Sequence, residues 1–275
     1  MSKSKNRQID LQNQTIEQVT TILKRYPSVV AAALMGSHAH DTNTEYSDID
    51  LLVVFENDER EGLKSIFEEV ISLKPTLSTL YQLYDKESLI LFADGVRLDL
   101  TLEKRSDFDK WVLKPVKVLF DNNDVLEPMM KASGGKSEVP DRPKWNEKEG
   151  DYIDWFFWMF RQAYCYACQA EIVPSKSFEK KDLALNSIKS IRDKLLSTLY
   201  YVNGKRDYLV NINKELLSRF SQTYPGNSTD NIKKSIRVLV ELYEDIISEY
   251  CSKEKLDFPK DKVKQIRNLF VEFDS

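Results

Sequence analysis

The sequence predicts an α+β protein: a small mixed sheet with flanking helices, followed by an all-α helical bundle. Three observations predict it. Short apolar, β-branched runs alternate with segments of helical period over about the first 130 residues. Residues 132–143 (ASGGKSEVPDRP) then gather Gly, Pro and charge in the manner of a linker. Beyond them almost every segment has helical period.

The elements follow in order. Asn13 to Arg25 places Ile16, Val19, Ile22 and Leu23 at helical spacing. Ser28 to Met35 (SVVAAALM) is a short apolar run before Gly36, as a buried strand requires, and Ile49 to Phe55 (IDLLVVF) is a second. Glu61 to Leu73 reads as a helix closed by Pro75. Thr79 to Tyr84, Ser88 to Phe92 and Val96 to Leu102 read as strands, with Asp94-Gly95 turning a hairpin between the last two. Val116 to Phe120 is a candidate edge strand. In the second half, helices are expected near 147–171, 178–203, 211–222, 228–251 and 260–272, broken at Pro174, Gly204, Pro225-Gly226 and Pro259. The expected organisation is a sheet domain over 1–131, a linker over 132–146 and a helical domain over 147–275, with no internal repeat.

Bulk properties narrow the class. The chain of 275 residues is 41% hydrophobic and 31% charged, enough for a sizeable core beneath a charged surface. No apolar run approaches the roughly 20 residues of a membrane span, and MSKSKNRQ has no apolar signal region, so the expectation is a cytoplasmic protein with no membrane partner. Three cysteines are too few for a disulfide framework. Cys165 and Cys168 fall one turn apart inside an aromatic-rich helix, and their expected role is core packing. The net charge of −4 disfavours a long nucleic-acid partner, whose phosphates call for a basic field.

The informative segment runs from Met35 to Val54. A strand ends at Gly36-Ser37, a polar loop of about nine residues follows, and Ser47-Asp48-Ile49-Asp50 opens the next strand. Residues i and i+2 of a strand share a face, so Asp48 and Asp50 project together. Two carboxylates at that spacing repel unless a cation lies between them, and their hard oxygens suit Mg²⁺ shared with substrate phosphates. Gly36 lets the backbone approach a phosphate, and Ser37 offers a hydroxyl and an amide to it. Ser47 is grouped with them as a nucleotide-binding candidate. In Val96 to Leu102 the leucines take one face and Arg97, Asp99 and Thr101 the other, which makes Asp99 the candidate third carboxylate of a metal-dependent site.

The pattern G-S-(x)10-D-x-D with a later strand-borne Asp resembles the signature of the DNA polymerase β-like nucleotidyltransferase superfamily. Phe92 to Leu102 (FADGVRLDLTL) and Pro115 to Asp121 (PVKVLFD) resemble segments of the aminoglycoside 6-adenylyltransferases, which modify streptomycin. The two-part layout is also similar to that of the lincosamide nucleotidyltransferases. The resemblance implies that Gly36 and Ser37 contact nucleotide phosphates, and that Asp48, Asp50 and Asp99 are catalytic metal ligands, with Asp99 a candidate base. It further implies Mg²⁺ as cofactor and a nucleoside triphosphate, ATP foremost, as co-substrate. Many relatives carry Arg after G-S, where this chain has His38.

The implied reaction moves a nucleoside monophosphate to a hydroxyl of a small acceptor, an aminoglycoside or lincosamide antibiotic, bound between the two domains. Other readings stay open: action on a protein or an RNA, or a nucleotide-binding module without catalysis. Acidic composition tells against RNA, and the presence of all three acids tells against an inactive module. The only histidines are His38 and His40, so a base from the helical half must be an acid, with Asp151 and Asp154 as candidates. Rings from the run Tyr152 to Phe160, and Trp111, are candidates for lining an acceptor pocket. The nucleotide preference and oligomeric state are not legible.

Overall fold

The computed structural model describes residues 3–56, 60–83, 87–105, 116–122, 124–126, 149–203, 214–226 and 228–274. The expected linker and Trp111 lie outside them. The chain divides into two compact units, Met1–Asp151 and Tyr152–Ser275.

The first unit opens with helix α1 (Lys3–Leu23), then β1 (Val29–Leu34), a single helical turn α2 (Gly36–Ala39), β2 (Ile49–Phe55) and α3 (Arg60–Ile71). Strands β3 (Thr76–Leu83), β4 (Glu87–Phe92), β5 (Arg97–Lys104) and β6 (Lys117–Asp121) follow among the described residues. The six strands are ordered β3-β4-β5-β2-β1-β6. Only β2 and β5 run parallel; the other neighbouring pairs are antiparallel, so the sheet is mixed as expected. The β4–β5 hairpin turns at Asp94-Gly95: Gly95 has φ +85°, and the Val96 amide donates to Asp94 Oδ1 at 3.1 Å. Only glycine adopts that φ without strain.

Strand alternation explains which residues the sheet buries. Ile49, Leu51, Val53, Leu98 and Leu100 face one side, where α1 supplies Val19, Ile22 and Leu23 and α3 supplies Ile66, Phe67 and Val70. Each such aliphatic side chain removed from water is worth about 1.5–3 kcal/mol, so this face anchors the two central strands. The opposite face carries Ala31, Ala33, Leu52 and Val54 under Val125 and Leu126. Asp50, Asp99 and Arg97 share that second face, because β2 and β5 pair with Asp50 opposite Asp99.

The second unit is helical: α4 (Glu149–Ile172), α5 (Ser177–Asn203) after a short 3₁₀ turn, α6 (Lys214–Ser221), α7 (Thr229–Glu254) and α8 (Lys260–Asp274). Phe156, Phe157 and Phe160 of α4 are fully buried around Tyr243 of α7, with ring centroids 5.0, 5.3 and 5.6 Å away in edge-to-face pairs. These three rings are core. Cys165 and Cys168 are buried free thiols on the same helix, as expected of packing residues. Tyr164 stacks on Phe270 at 4.1 Å, and its hydroxyl donates to Asp274 at 2.7 Å, which fixes the end of α8. Ser228 caps α7 by accepting from the Asn231 amide at 3.2 Å. Among the described residues no helix is long and apolar enough to cross a membrane.

Candidate active site

The site begins with a backbone constraint. Gly36 opens α2 at φ +58°, and a Cβ placed there would lie 2.3 Å from Asp50 Oδ2. The Met35 amide donates to the Asp50 carbonyl at 2.8 Å, so the end of β1 and the start of β2 are locked together at this point. The sequence predicts a strand ending at Gly36-Ser37 and a polar loop after it. The structure instead forms one helical turn there, too short to show a hydrophobic period.

The segment leading to Asp48 is held from α1. Gln12, fully buried, donates from Nε2 toward the carbonyls of Thr44, Glu45 and Ser47 at 3.1, 3.3 and 3.2 Å. Ser47 is buried, and its Oγ accepts from the Thr44 amide at 2.9 Å, so its hydroxyl serves the turn that delivers Asp48. Ser37 is half-buried on α2, and its carbonyl accepts from the Thr42 amide at 3.0 Å.

Asp50 and Asp99 stand directly opposite each other on the parallel pair β2–β5. Asp48, just before β2, joins them through Arg97. The Arg97 Nε donates to Asp99 Oδ1 at 2.7 Å, its Nη2 pairs with Asp99 Oδ2, and its Nη1 lies 3.0 Å from Asp48 Oδ2. Arg97 is 5% exposed. The structure thus brings the three acids to one face of the sheet, with a guanidinium spanning two of them.

The expected Mg²⁺ can be tested against these donors. Three carboxylates on one face, with Asp50 packed against Gly36 where a Cβ would clash, have the chemistry a hard divalent cation needs. Among the described residues, however, no three Asp, Glu, His or Cys side chains are gathered as a ready metal-binding set. The donor types fit, and the Arg97 guanidinium pairs with two of the three acids.

His38 is buried on α2, and among the described residues its Nε2 has no hydrogen-bond partner. Burial holds its imidazole below the ordinary value, against the pull of Asp48; Lys117 lowers it further and Asp41 opposes. Neutral near pH 7, it does not replace the charge of an arginine at this position. Of the candidate bases in the helical unit, Asp154 pairs with Lys262 at 2.6 Å, a tie between α4 and α8. The side chain of Asp151 lies outside the described residues.

Sequence reasoning placed Arg97 on the right face but gave it no role, although the i, i+2 spacing to Asp99 carried the signal. Gln12 was missed. The available signal was a glutamine on the stripe that continues through Thr15, Val19 and Ile22 of α1.

A family model described as streptomycin adenylyltransferase matches residues 10–272. Among solved structures, an aminoglycoside 6-adenyltransferase from Bacillus subtilis matches at 16% identity, covering 95% of this chain and 97% of that one, with a TM-score of 0.36. A STING-associated CdnE c-di-GMP synthase from Capnocytophaga granulosa matches at 12% identity, covering 88% and 83%, with a TM-score of 0.31. The CD-NTase CdnG of Bradyrhizobium diazoefficiens, in complex with GTP, matches at 14% identity, covering 97% and 94%, with a TM-score of 0.27. At such scores these likenesses transfer no residue role. No curated protein matches the sequence. With the model spanning nearly its whole length, the chain belongs to the streptomycin adenylyltransferase family and is a nucleotidyltransferase.

Proposed function

We propose that this family member transfers AMP from ATP to a hydroxyl of an aminoglycoside, using Asp48, Asp50 and Asp99 to hold Mg²⁺. The observation that carries the reading is the pairing of Asp50 with Asp99 on adjacent parallel strands, with Gly36 pressed against Asp50. An acid pair facing a glycine that admits no side chain is costly for stability alone, and its geometry suits a phosphate-bound cation.

In the proposed reaction the acceptor oxygen forms a bond to the α-phosphorus, and the bond from that phosphorus to the bridging oxygen breaks, releasing pyrophosphate. Bound Mg²⁺ would neutralise charge on the phosphate oxygens. Gly36 and Ser37 supply backbone and hydroxyl groups to the triphosphate at the turn that opens α2. Asp48, Asp50 and Asp99 would hold the cation through which the α-phosphate is oriented toward the acceptor, and such positioning accounts for much of the acceleration in phosphoryl transfer. The hydroxyl proton goes to a carboxylate, for which Asp99 is our candidate. Both Asp99 oxygens accept from Arg97, so that role requires the pair to loosen.

The test follows pyrophosphate release with Mg²⁺ and each of the four nucleoside triphosphates, against streptomycin, kanamycin, lincomycin and no acceptor. The Asp48→Ala, Asp50→Ala double variant is the blank. Release with ATP and an aminoglycoside, absent from the blank, is the expected result. Release with lincomycin alone would move the acceptor to the lincosamides. Release without any acceptor would point to self-modification or a protein target. Silence throughout, with nucleotide bound, would end the antibiotic assignment.

A further inference from the structure

Repulsion between Asp48 and Asp99 is relieved in this structure by a cation the protein itself supplies. The Arg97 guanidinium engages both oxygens of Asp99 with one edge and reaches Asp48 with Nη1 at 3.0 Å. A planar fork with several donors is suited to this, since it meets one carboxylate with two parallel bonds and still has a nitrogen for another. The side chain is 7% exposed, against 21% for Asp48 and 18% for Asp99, so the charge lies beneath the acids and is screened weakly by solvent. Burying an arginine there without an acidic partner would be strongly unfavourable. The acids and the guanidinium therefore hold each other in place.

We propose that Arg97 is a positioning residue that competes with the catalytic cation: it holds Asp48 and Asp99 together until metal and nucleotide arrive, and must then give up Asp48. The proposal rests on the reading of these acids as metal ligands. One fact favours competition over passive support: Arg97 occupies the span between the two acids that a shared cation would need. A unit charge a few ångströms from a divalent ion, in a partly buried site, weakens its binding by well over tenfold. Release of Asp48 relieves part of that penalty. The Arg97 fork on Asp99 loosens at the same time to a single bond, which orients that carboxylate and frees its other oxygen for the metal and the acceptor proton.

The experiment measures Mn²⁺ binding by the loss of free-ion electron paramagnetic resonance signal, without ATP and with ATP, each ATP arm read as the further loss beyond a protein-free Mn²⁺–ATP blank, in wild type, Arg97→Met, Arg97→Lys and Asp48→Asn. Wild type is expected to bind Mn²⁺ weakly alone and more tightly with ATP. Arg97→Met is expected to bind Mn²⁺ alone about tenfold or more tightly than wild type, because the competing charge is gone. Arg97→Lys should fall between, since an ammonium satisfies one carboxylate but not the fork. Thermal melts add an independent reading: Mn²⁺ should raise the melting temperature of Arg97→Met more than that of wild type. If Arg97→Met does not fold, the intermediate affinity of Arg97→Lys carries the test. Unchanged or weaker Mn²⁺ binding in the Arg97 variants, with wild type binding normally, overturns the competition. Absence of Mn²⁺ binding in wild type with ATP, equal to that of Asp48→Asn, overturns the underlying metal-site reading instead.

Discussion

Replacing Gly36 by alanine adds one methyl group, and its consequence can be worked from two numbers. At φ +58° an L-residue carries about 1–2 kcal/mol of backbone strain that glycine avoids. The new Cβ would also stand 2.3 Å from Asp50 Oδ2 and 3.3 Å from Asp50 Cγ. Ordinary carbon–oxygen contact needs about 1 Å more than the shorter distance, so the carboxylate must swing aside by about that amount. Asp50 is short and is the second residue of β2, so the swing comes from its χ angles while the strand stays in place. The stability cost is then close to the strain alone, about 1–2 kcal/mol by urea unfolding. The catalytic cost is larger, since a misplacement of about 1 Å at a reacting centre reduces rate about 10²-fold. The assay is pyrophosphate release with ATP and streptomycin, beside far-ultraviolet circular dichroism to confirm the fold. A Gly36→Ala variant that is folded and retains more than about a third of wild-type turnover would refute the link between this contact and the chemistry. A variant with both activity and fold lost would show that the strand junction, rather than the carboxylate, is what the glycine protects.

Three further outcomes are expected. Gln12→Leu removes the donor shared by the Thr44, Glu45 and Ser47 carbonyls, and should destabilise the protein by about 1–3 kcal/mol for each buried carbonyl left unpaired. Activity should fall further than stability explains, as Asp48 follows that segment; equal turnover per folded molecule would count against it. His38 has a folded pKa below its ordinary value of 6.5, so the unfolded chain binds the extra proton first as pH falls. Its contribution to stability is whole above about pH 6.5 and is lost as pH drops through the lower folded value. His38→Asn should therefore melt with a shallower dependence on pH between about 7 and 5 than wild type, and a steeper one would contradict the burial argument. Asp154→Asn breaks the pair with Lys262 and should cost no more than about 1 kcal/mol, with turnover within about threefold of wild type. A loss of 10²-fold or more would instead restore Asp154 as a general base.

The sheet was legible because its signals are local. Ile49 to Phe55 is β2 to the residue, and the Asp94-Gly95 turn sits where the hairpin places it, since a positive φ and an Asx contact are properties of two neighbouring residues. The acids were legible as a set for the same reason: i, i+2 alternation assigns them a face before any strand has been paired. Alternation says nothing about register between strands, and register is what opposes Asp50 to Asp99 and brings Arg97 within reach of Asp48. Repulsion between two carboxylates at i and i+2 implies a cation, and the sequence alone points outside the chain for it. That repulsion is already met by a side chain two residues before Asp99. Charge balance of an acidic cluster therefore cannot by itself distinguish a metal site from an internal ion pair. Gly36 bears on the distinction through the Asp50 carboxylate packed against it: a methyl group there would displace that carboxylate, which a metal ligand tolerates less than a surface ion pair does. Gly36 is also the residue whose conformation, at φ +58°, side chains rarely adopt.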